Sequence, residues 1–240
     1  MTKAVLFDLG DTVFKLGPFD VAALRARFAG CLGERCGLEF ERAAAVVAEM
    51  DAKLQEALRL SYQDGQTAEP AMASRVLEHL LEFDGHSEWL ASEFDRFFGE
   101  ADTSRWEEPA GRHEFFDGLR SRGLRLGFVS NTITMPPLMD ARLTDFALRQ
   151  YADVAIYSVA VGHRKPNPAI YQAALGALGV APEDALFVGD RVREDVRGPQ
   201  AVGMRAVLTH EFRQEEPGDA APLAVIRELG EVLDFVGRRQ

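Results

Sequence analysis

The stretch Lys3-Ala-Val-Leu-Phe-Asp-Leu-Gly-Asp-Thr-Val-Phe14 does most to limit what this chain can fold into. Ala4 to Phe7 is an unbroken apolar run rich in Val, Leu and Phe, which predicts a strand buried on both faces. It stops at Asp8, and Gly10, Asp11 and Thr12 follow with turn chemistry. Open α/β sheets bind their ligands beyond the carboxyl ends of parallel strands. An ion at such a sheet edge needs a partner or a metal, so Asp8 reads as a working residue.

The next stretch has a different texture. Phe19–Arg35 and Glu39–Leu60 carry apolar residues at helical spacing, a polar break covers Ser61–Glu69, and two more helical segments cover Pro70–Phe83 and Ser87–Phe98. No strand signal occurs between Val21 and Trp106, and Glu108-Pro-Ala-Gly111 punctuates the end of the region. Helix and strand then alternate. The expected helices are Arg112–Arg122, Pro137–Leu148, Ala169–Leu178, Glu194–Val202 and a closing Leu223–Val236; the expected strands are Leu124–Val129, Val154–Tyr157, Ala185–Val188 and Met204–Leu208. This order predicts an α/β fold, a parallel sheet with helices on both faces. Residues 1–15 and 108–240 form its core, and a helical domain, 16–107, is inserted after strand one.

Polar residues recur where the predicted strands end. Asp8 is followed by Ser130-Asn131-Thr132 after Phe128-Val129, by Gly162-His-Arg-Lys-Pro-Asn-Pro168, and by Gly189-Asp190 with Asp195 beyond it. Each has a plain structural alternative: Ser and Asn cap helices, a lone lysine is ordinarily solvated, and acids favour the first turn of a helix. Capping accounts for one acid after a buried strand but not for two.

In this order the four segments resemble the motifs of the haloacid dehalogenase-like (HAD) hydrolases: Asp8-Leu-Gly-Asp-Thr12, Ser130, Lys165-Pro166 and Gly189-Asp190 with Asp195. The resemblance implies a Rossmann-like core, a cap made by the helical insertion, and Mg2+-dependent hydrolysis of a small-molecule phosphomonoester through an aspartyl-phosphate on Asp8. It casts Asp8, Lys165 and Ser130 as catalytic, and Ser130, Asn131, Lys165 and Thr12 as phosphate-binding. Mg2+ takes oxygen ligands, for which Asp8, Asp190, Asp195 and the Gly10 carbonyl are the candidates, Asp195 as an outer ligand or an orienter. Phosphatases of the family usually carry a second Asp two residues after the nucleophile as general acid and base; here that position is Gly10, and Asp11 one residue later is an uncertain substitute. The gap favours substrates whose leaving group needs little protonation, such as acyl or anomeric phosphates, or a proton from a cap residue or water. The dehalogenase branch also lacks that Asp but needs no metal, which Asp190 and Asp195 argue against. A catalytically silent binding protein of the same fold is the rival from a different class.

A formal net charge of −11 argues against nucleic-acid or anionic-membrane partners. No run is long enough to span a bilayer and no signal peptide is recognisable, so the cytoplasm is the expected address. Cys31 and Cys36 read as two buried thiols on a helix rather than a zinc site or a disulfide. Trp89, Trp106, Phe94, Phe97 and Phe98 read as helix packing, and Arg25, Arg27, Arg59 and Arg75 as solvated faces. Hinges for cap movement are expected at Lys15–Pro18 and Glu107–Gly111. Nothing in the sequence specifies an oligomeric state.

Overall fold

A computed structural model of the chain describes residues 1–64 and 87–237. The helix expected over Pro70–Phe83, Arg75 and most of the break expected at Ser61–Glu69 lie outside these residues. The sheet has six parallel strands: β1 (Ala4–Phe7), β4 (Arg125–Ser130), β5 (Val154–Tyr157), β6 (Ala185–Gly189), β7 (Arg205–Thr209) and β8 (Ala224–Ile226), ordered β5-β4-β1-β6-β7-β8. This is the α/β class predicted from the alternation of elements.

β1 is central, and every one of its residues is fully buried. Val5 and Phe7 face one layer, where Phe7 meets Phe115 and Phe116 of α5 (Arg112–Ser121) edge-to-face with ring centroids 5.7 and 5.5 Å apart. Ala4 and Leu6 face the other, against Ile170, Tyr171 and Leu175 of α8 (Pro168–Leu178). A strand covered on both sides has no polar alternate, which is why its sequence reads as a continuous apolar run. Asn167 caps α8 by accepting from the Ala169 N–H, Pro168 opens its first turn, and Gly179 at φ 63° ends it in the left-handed region.

Register decides what the sheet edge carries. Phe7 pairs with Phe128 on β4 and with Val188 on β6. The residues just beyond these pairs, Asp8, Ser130 and Asp190, therefore emerge together at one carboxyl edge.

Between β1 and β4 the described chain is mostly helical. α1 (Val21–Cys36), α2 (Phe40–Asp64) and α3 (Ser87–Phe94), with a π-turn at Asp95–Gly99 and α4 (Glu100–Ser104), enclose a cluster of their own around Phe28, Leu32, Val47, Met50, Phe94 and Phe98. Asp20 caps α1 by accepting from the Ala23 N–H, and Gly37 at φ 67° stops it. Cys31 and Cys36 on α1 are free thiols, half-buried rather than buried. Phe94, Phe97, Phe98 and Trp89 serve packing as expected, whereas Trp106 stacks on Phe14 of the sheet core at 4.7 Å.

Two expectations need correction. The helix expected to stop at Leu60 continues to Asp64, because the Ser61 hydroxyl donates back to the Leu58 carbonyl and stays within the helical pattern. At the crossings to and from the insertion, where hinges are expected, β2 (Lys15–Leu16) pairs antiparallel with β3 (Trp106–Glu107), and the Gly17 N–H donates to the Arg105 carbonyl at 2.8 Å. The closing helix expected over Leu223–Val236 is instead edge strand β8 followed by a 3-10 helix, Leu229–Asp234. Val225 is exposed and Ile226 buried, the two-residue period of a strand, while Leu229 and Val232 repeat at the three-residue period of a 3-10 turn.

Candidate active site

The carboxyl edge of the sheet opens into a cavity of about 370 Å³, lined from the core by Asp8, Ser130, Lys165 and Asp190 and from the insertion by residues including Leu54, Leu58, Tyr62 and Phe98. Lys165 is its anchor. Only 2% exposed, its Nζ donates to Asp8 Oδ1 at 2.6 Å and to Asp195 Oδ1 at 2.7 Å. Burial works against the ammonium charge, yet Asp195 and Asp8 outweigh it and push the Lys165 pKa above its ordinary value. Its position is set by Asn131, whose amide brackets the Lys165 backbone: Nδ2 donates to the Lys165 carbonyl at 3.0 Å and Oδ1 accepts from the Lys165 N–H at 2.7 Å.

Asp8, Asp190 and Asp195 each bring an oxygen to within 4.8 Å of the others. Burial pushes Asp8 up to about 6, with Lys165 opposing and Asp195 reinforcing the rise. Burial, then the charges of Asp8 and Asp195, pushes Asp190 up to about 8. Asp195 is fully engaged, with Oδ1 taken by Lys165 and Oδ2 by the Arg191 backbone N–H at 3.0 Å. Asp190 is not. Its Oδ1 accepts from the Thr12 hydroxyl at 3.4 Å, while its Oδ2 has no hydrogen bond among the described residues. Arg213 Nε lies 2.6 Å from that oxygen but off the N–H direction, so the contact is one of charge. A buried carboxylate oxygen with no donor, beside a second carboxylate, suits a hard divalent cation.

Not every residue expected here faces the cavity. Asp8, Gly10, Ser130, Asn131, Lys165 and Asp190 line it. Thr12 is fully buried and holds Asp190, so it supports the acids rather than facing a ligand. The Asn131 side chain is spent on Lys165, which leaves its backbone N–H as the donor it can offer. At Gly10 a Cβ would lie 2.9 Å from Leu16 Cδ1, so Leu16 of β2 fills the space beside the position where the resemblance expects an acid. Asp11, at φ 55°, is turned to other work: Oδ1 accepts from the Leu16 N–H at 3.1 Å and Oδ2 meets Arg213 at 3.2 Å. Arg164, in the same segment as Lys165, lines the cavity too, as does Arg213, which was not among the expected site residues and carries no local sequence signature.

Gly189 has a packing reason to be glycine. A Cβ there would stand 2.3 Å from Asp195 Cγ, far inside contact distance. Gly189→Ala is expected to displace Asp195 from Lys165 and to destabilise the protein by about 1–3 kcal/mol, as overpacking does. Urea unfolding checks this, and an unchanged midpoint contradicts it.

The sheet, the insertion after its first strand and the acids at its edge define a hydrolase of the HAD class. Residues 2–203 match the sequence family described as haloacid dehalogenase-like hydrolase, and the chain belongs to that family. It is 30% identical to the phosphoserine phosphatase of Thermus thermophilus, over 96% of this chain and 98% of that one. It is 27% identical to the phosphoglycolate phosphatase of Escherichia coli over 78% of this chain and 74% of that one. Among solved structures, a HAD phosphatase from Thermococcus onnurineus superposes with a TM-score of 0.64 at 24% identity, covering 99% of each chain. A 2-haloacid dehalogenase from Pseudomonas syringae superposes with a TM-score of 0.67 at 22% identity, covering 98% of this chain and 97% of that one. Likeness at this level speaks for the fold. No helix among the described residues is long and apolar enough to cross a membrane.

Proposed function

We propose that the chain is a Mg2+-dependent phosphatase of small phosphomonoesters, with residues 16–107 as its cap and Asp8 as its nucleophile. The observation that carries this reading over the dehalogenase one is Asp190, a second buried acid beside Asp8 whose Oδ2 takes no hydrogen bond among the described residues, which a metal-free displacement does not need. The phosphatase relatives support it as well.

Asp8 Oδ2 attacks phosphorus in line while Lys165 holds Oδ1, forming an aspartyl-phosphate and releasing the alcohol or acid. Water then attacks the same phosphorus, returning Asp8 and releasing phosphate. Lys165, the Ser130 hydroxyl and the Asn131 backbone N–H stabilise the equatorial oxygens. Asp8, Asp190 and the Gly10 carbonyl would hold the Mg2+, which supplies charge neutralisation for an approaching dianion. Asp195 keeps Lys165 aligned.

With Gly10 bare and Asp11 tied to Leu16 and Arg213, no acid at that position protonates the leaving group. Acyl and aryl phosphates are therefore expected to turn over faster than alkyl phosphates by about 10²–10⁴-fold, the usual contribution of a general acid. Phosphate release from such a panel, in Mg2+ and in EDTA, tests both points. Release that survives EDTA removes the metal from the reading, and equal rates across leaving groups mean that another residue supplies the proton. Binding of Mg2+ with no release from any ester favours the silent binding protein.

A further inference from the structure

Among the described residues four guanidinium groups line the cavity, and they are not alike. Arg105 is paired with Asp102 at 2.9 Å, and Arg213 with Asp11 and Asp190. Arg164 and Arg191 have no ion-pair partner among the described residues. Of these two Arg164 is the buried one, 6% exposed.

Arg164 is only partly satisfied. One amino group donates to the Ser61 hydroxyl of α2 at 3.1 Å, and the guanidinium carbon lies 4.0 Å over the ring of Tyr62. Its Nε is buried and donates to nothing among the described residues. Glu194 is the acid that favours its charge, but beyond ion-pair distance, while Arg191 and Arg193 oppose it. A buried guanidinium, charged at every accessible pH and with no ion-pair partner among the described residues, is costly unless an anion completes it. A neutral serine and an aromatic face compensate only in part.

Its position says what kind of anion. Arg164 and Lys165 line the same cavity, Lys165 toward Asp8 and Arg164 toward Ser61 and Tyr62 of α2, so one small molecule can meet both. Lys165 belongs to the phosphoryl end. We propose that Arg164 is the subsite for a carboxylate carried by the phosphorylated substrate, so that the enzyme takes phosphate monoesters of small hydroxy acids or acyl phosphates of small dicarboxylic acids that keep one carboxylate free. The inference rests on the phosphatase reading for the identity of the other end. The planar fork of arginine matches a carboxylate in two parallel hydrogen bonds, and the partner it lacks is a compact planar anion rather than another protein acid.

The test is binding, which is independent of turnover. 3-Phosphonopropionate and propylphosphonate have the same length and phosphonate and differ only in the terminal carboxylate. In Mg2+, calorimetry on the wild-type protein is expected to give about 10–100-fold tighter binding of the carboxylated compound, the range of a charge-assisted hydrogen bond in a buried site. In Arg164→Gln that ratio is expected to fall below about 3-fold, and Arg164→Lys to keep an intermediate ratio, since lysine supplies the charge without the fork. A wild-type ratio near 1 overturns the proposal without need of any variant. A ratio that persists in Arg164→Gln assigns the carboxylate to another residue and overturns it too. Hydrolysis of succinyl phosphate, an acyl phosphate that keeps a free carboxylate, by the same preparation reports on the phosphatase reading, so no hydrolysis with the binding ratio intact sinks that reading and leaves the carboxylate subsite standing.

Discussion

Lys165→Met is expected to be the most damaging single substitution in this protein. It removes the ammonium that stands 2.6 Å from Asp8 and 2.7 Å from Asp195, both of them buried. Breaking a buried pair by deleting one partner costs about 3–5 kcal/mol, because the other charge stays behind without compensation. Here two acids stay behind, with Asp190 within 4.8 Å of them. Urea unfolding in EDTA is expected to show the full loss, and Mg2+ to restore part of it, since a cation between Asp8 and Asp190 answers the same excess of negative charge. Turnover should fall by at least about 10³-fold, because the preorganised charge facing the transferring phosphoryl group is gone. A variant with an unchanged unfolding midpoint would show that the acids do not depend on Lys165.

Asp8→Asn is expected to part activity from stability. Loss of the nucleophile should lower turnover by about 10⁴-fold or more. The metal-free fold, however, should gain. Asp8 titrates at about 6 and Asp190 at about 8 in the folded protein, both above the ordinary 3.8 and chiefly because they are buried. Groups whose folded pKa is raised favour the fold while they are protonated. Their contribution is complete below about pH 4 and is lost as the pH rises through 6 and then 8. Without metal the wild-type protein should therefore melt progressively lower between pH 4 and 8, whatever other groups add. The substituted amide keeps an oxygen for Lys165 and removes one charge from beside Asp190. The variant's decline over that window should be shallower, and its Tm at pH 8 higher by about 2–4 °C for each 1 kcal/mol regained. Thermal melts in EDTA across that range measure this. A variant that melts lower than wild type at pH 8 would mean that Asp8 serves Lys165 more than it strains the site.

How much of this is legible in the sequence depends on where each residue's partner lies. Asp8 and Asp190 announce themselves locally, because a charged group at the end of a run such as Ala4–Phe7 or Ala185–Val188 has no ordinary structural use, whereas Lys165 is marked only by the Lys165-Pro166 segment and its place in the order of motifs. The parallel sheet is equally open to reading, since each strand carries its period in its own residues. Thr12 and Asn131 escape such a reading because their partners are remote: Thr12 is spent on Asp190 and Asn131 on the backbone of Lys165. No spacing rule foretells such a bond. Ile226, Leu229 and Val232 repeat every three residues, which an α-helical pattern also accepts, and only the pairing of β8 with β7 decides for a strand. Arg164 stands in the marked segment beside Lys165 but has no role written in its neighbours, and Arg213 looks like any surface arginine in the sequence. Only burial separates the first, and only the approach to Asp190 the second.

The ribbon of β2 and β3 has a consequence for how such an enzyme can change. Departure from the core and return to it run side by side through Lys15–Leu16 and Trp106–Glu107. Whatever is threaded between them meets the sheet at one doorway, while the register of β1 and the pairing of Lys165 with Asp8 and Asp195 are made between core residues. The machinery for breaking a phosphate bond and the chamber that selects what is brought to it can thus be rewritten on separate evolutionary clocks.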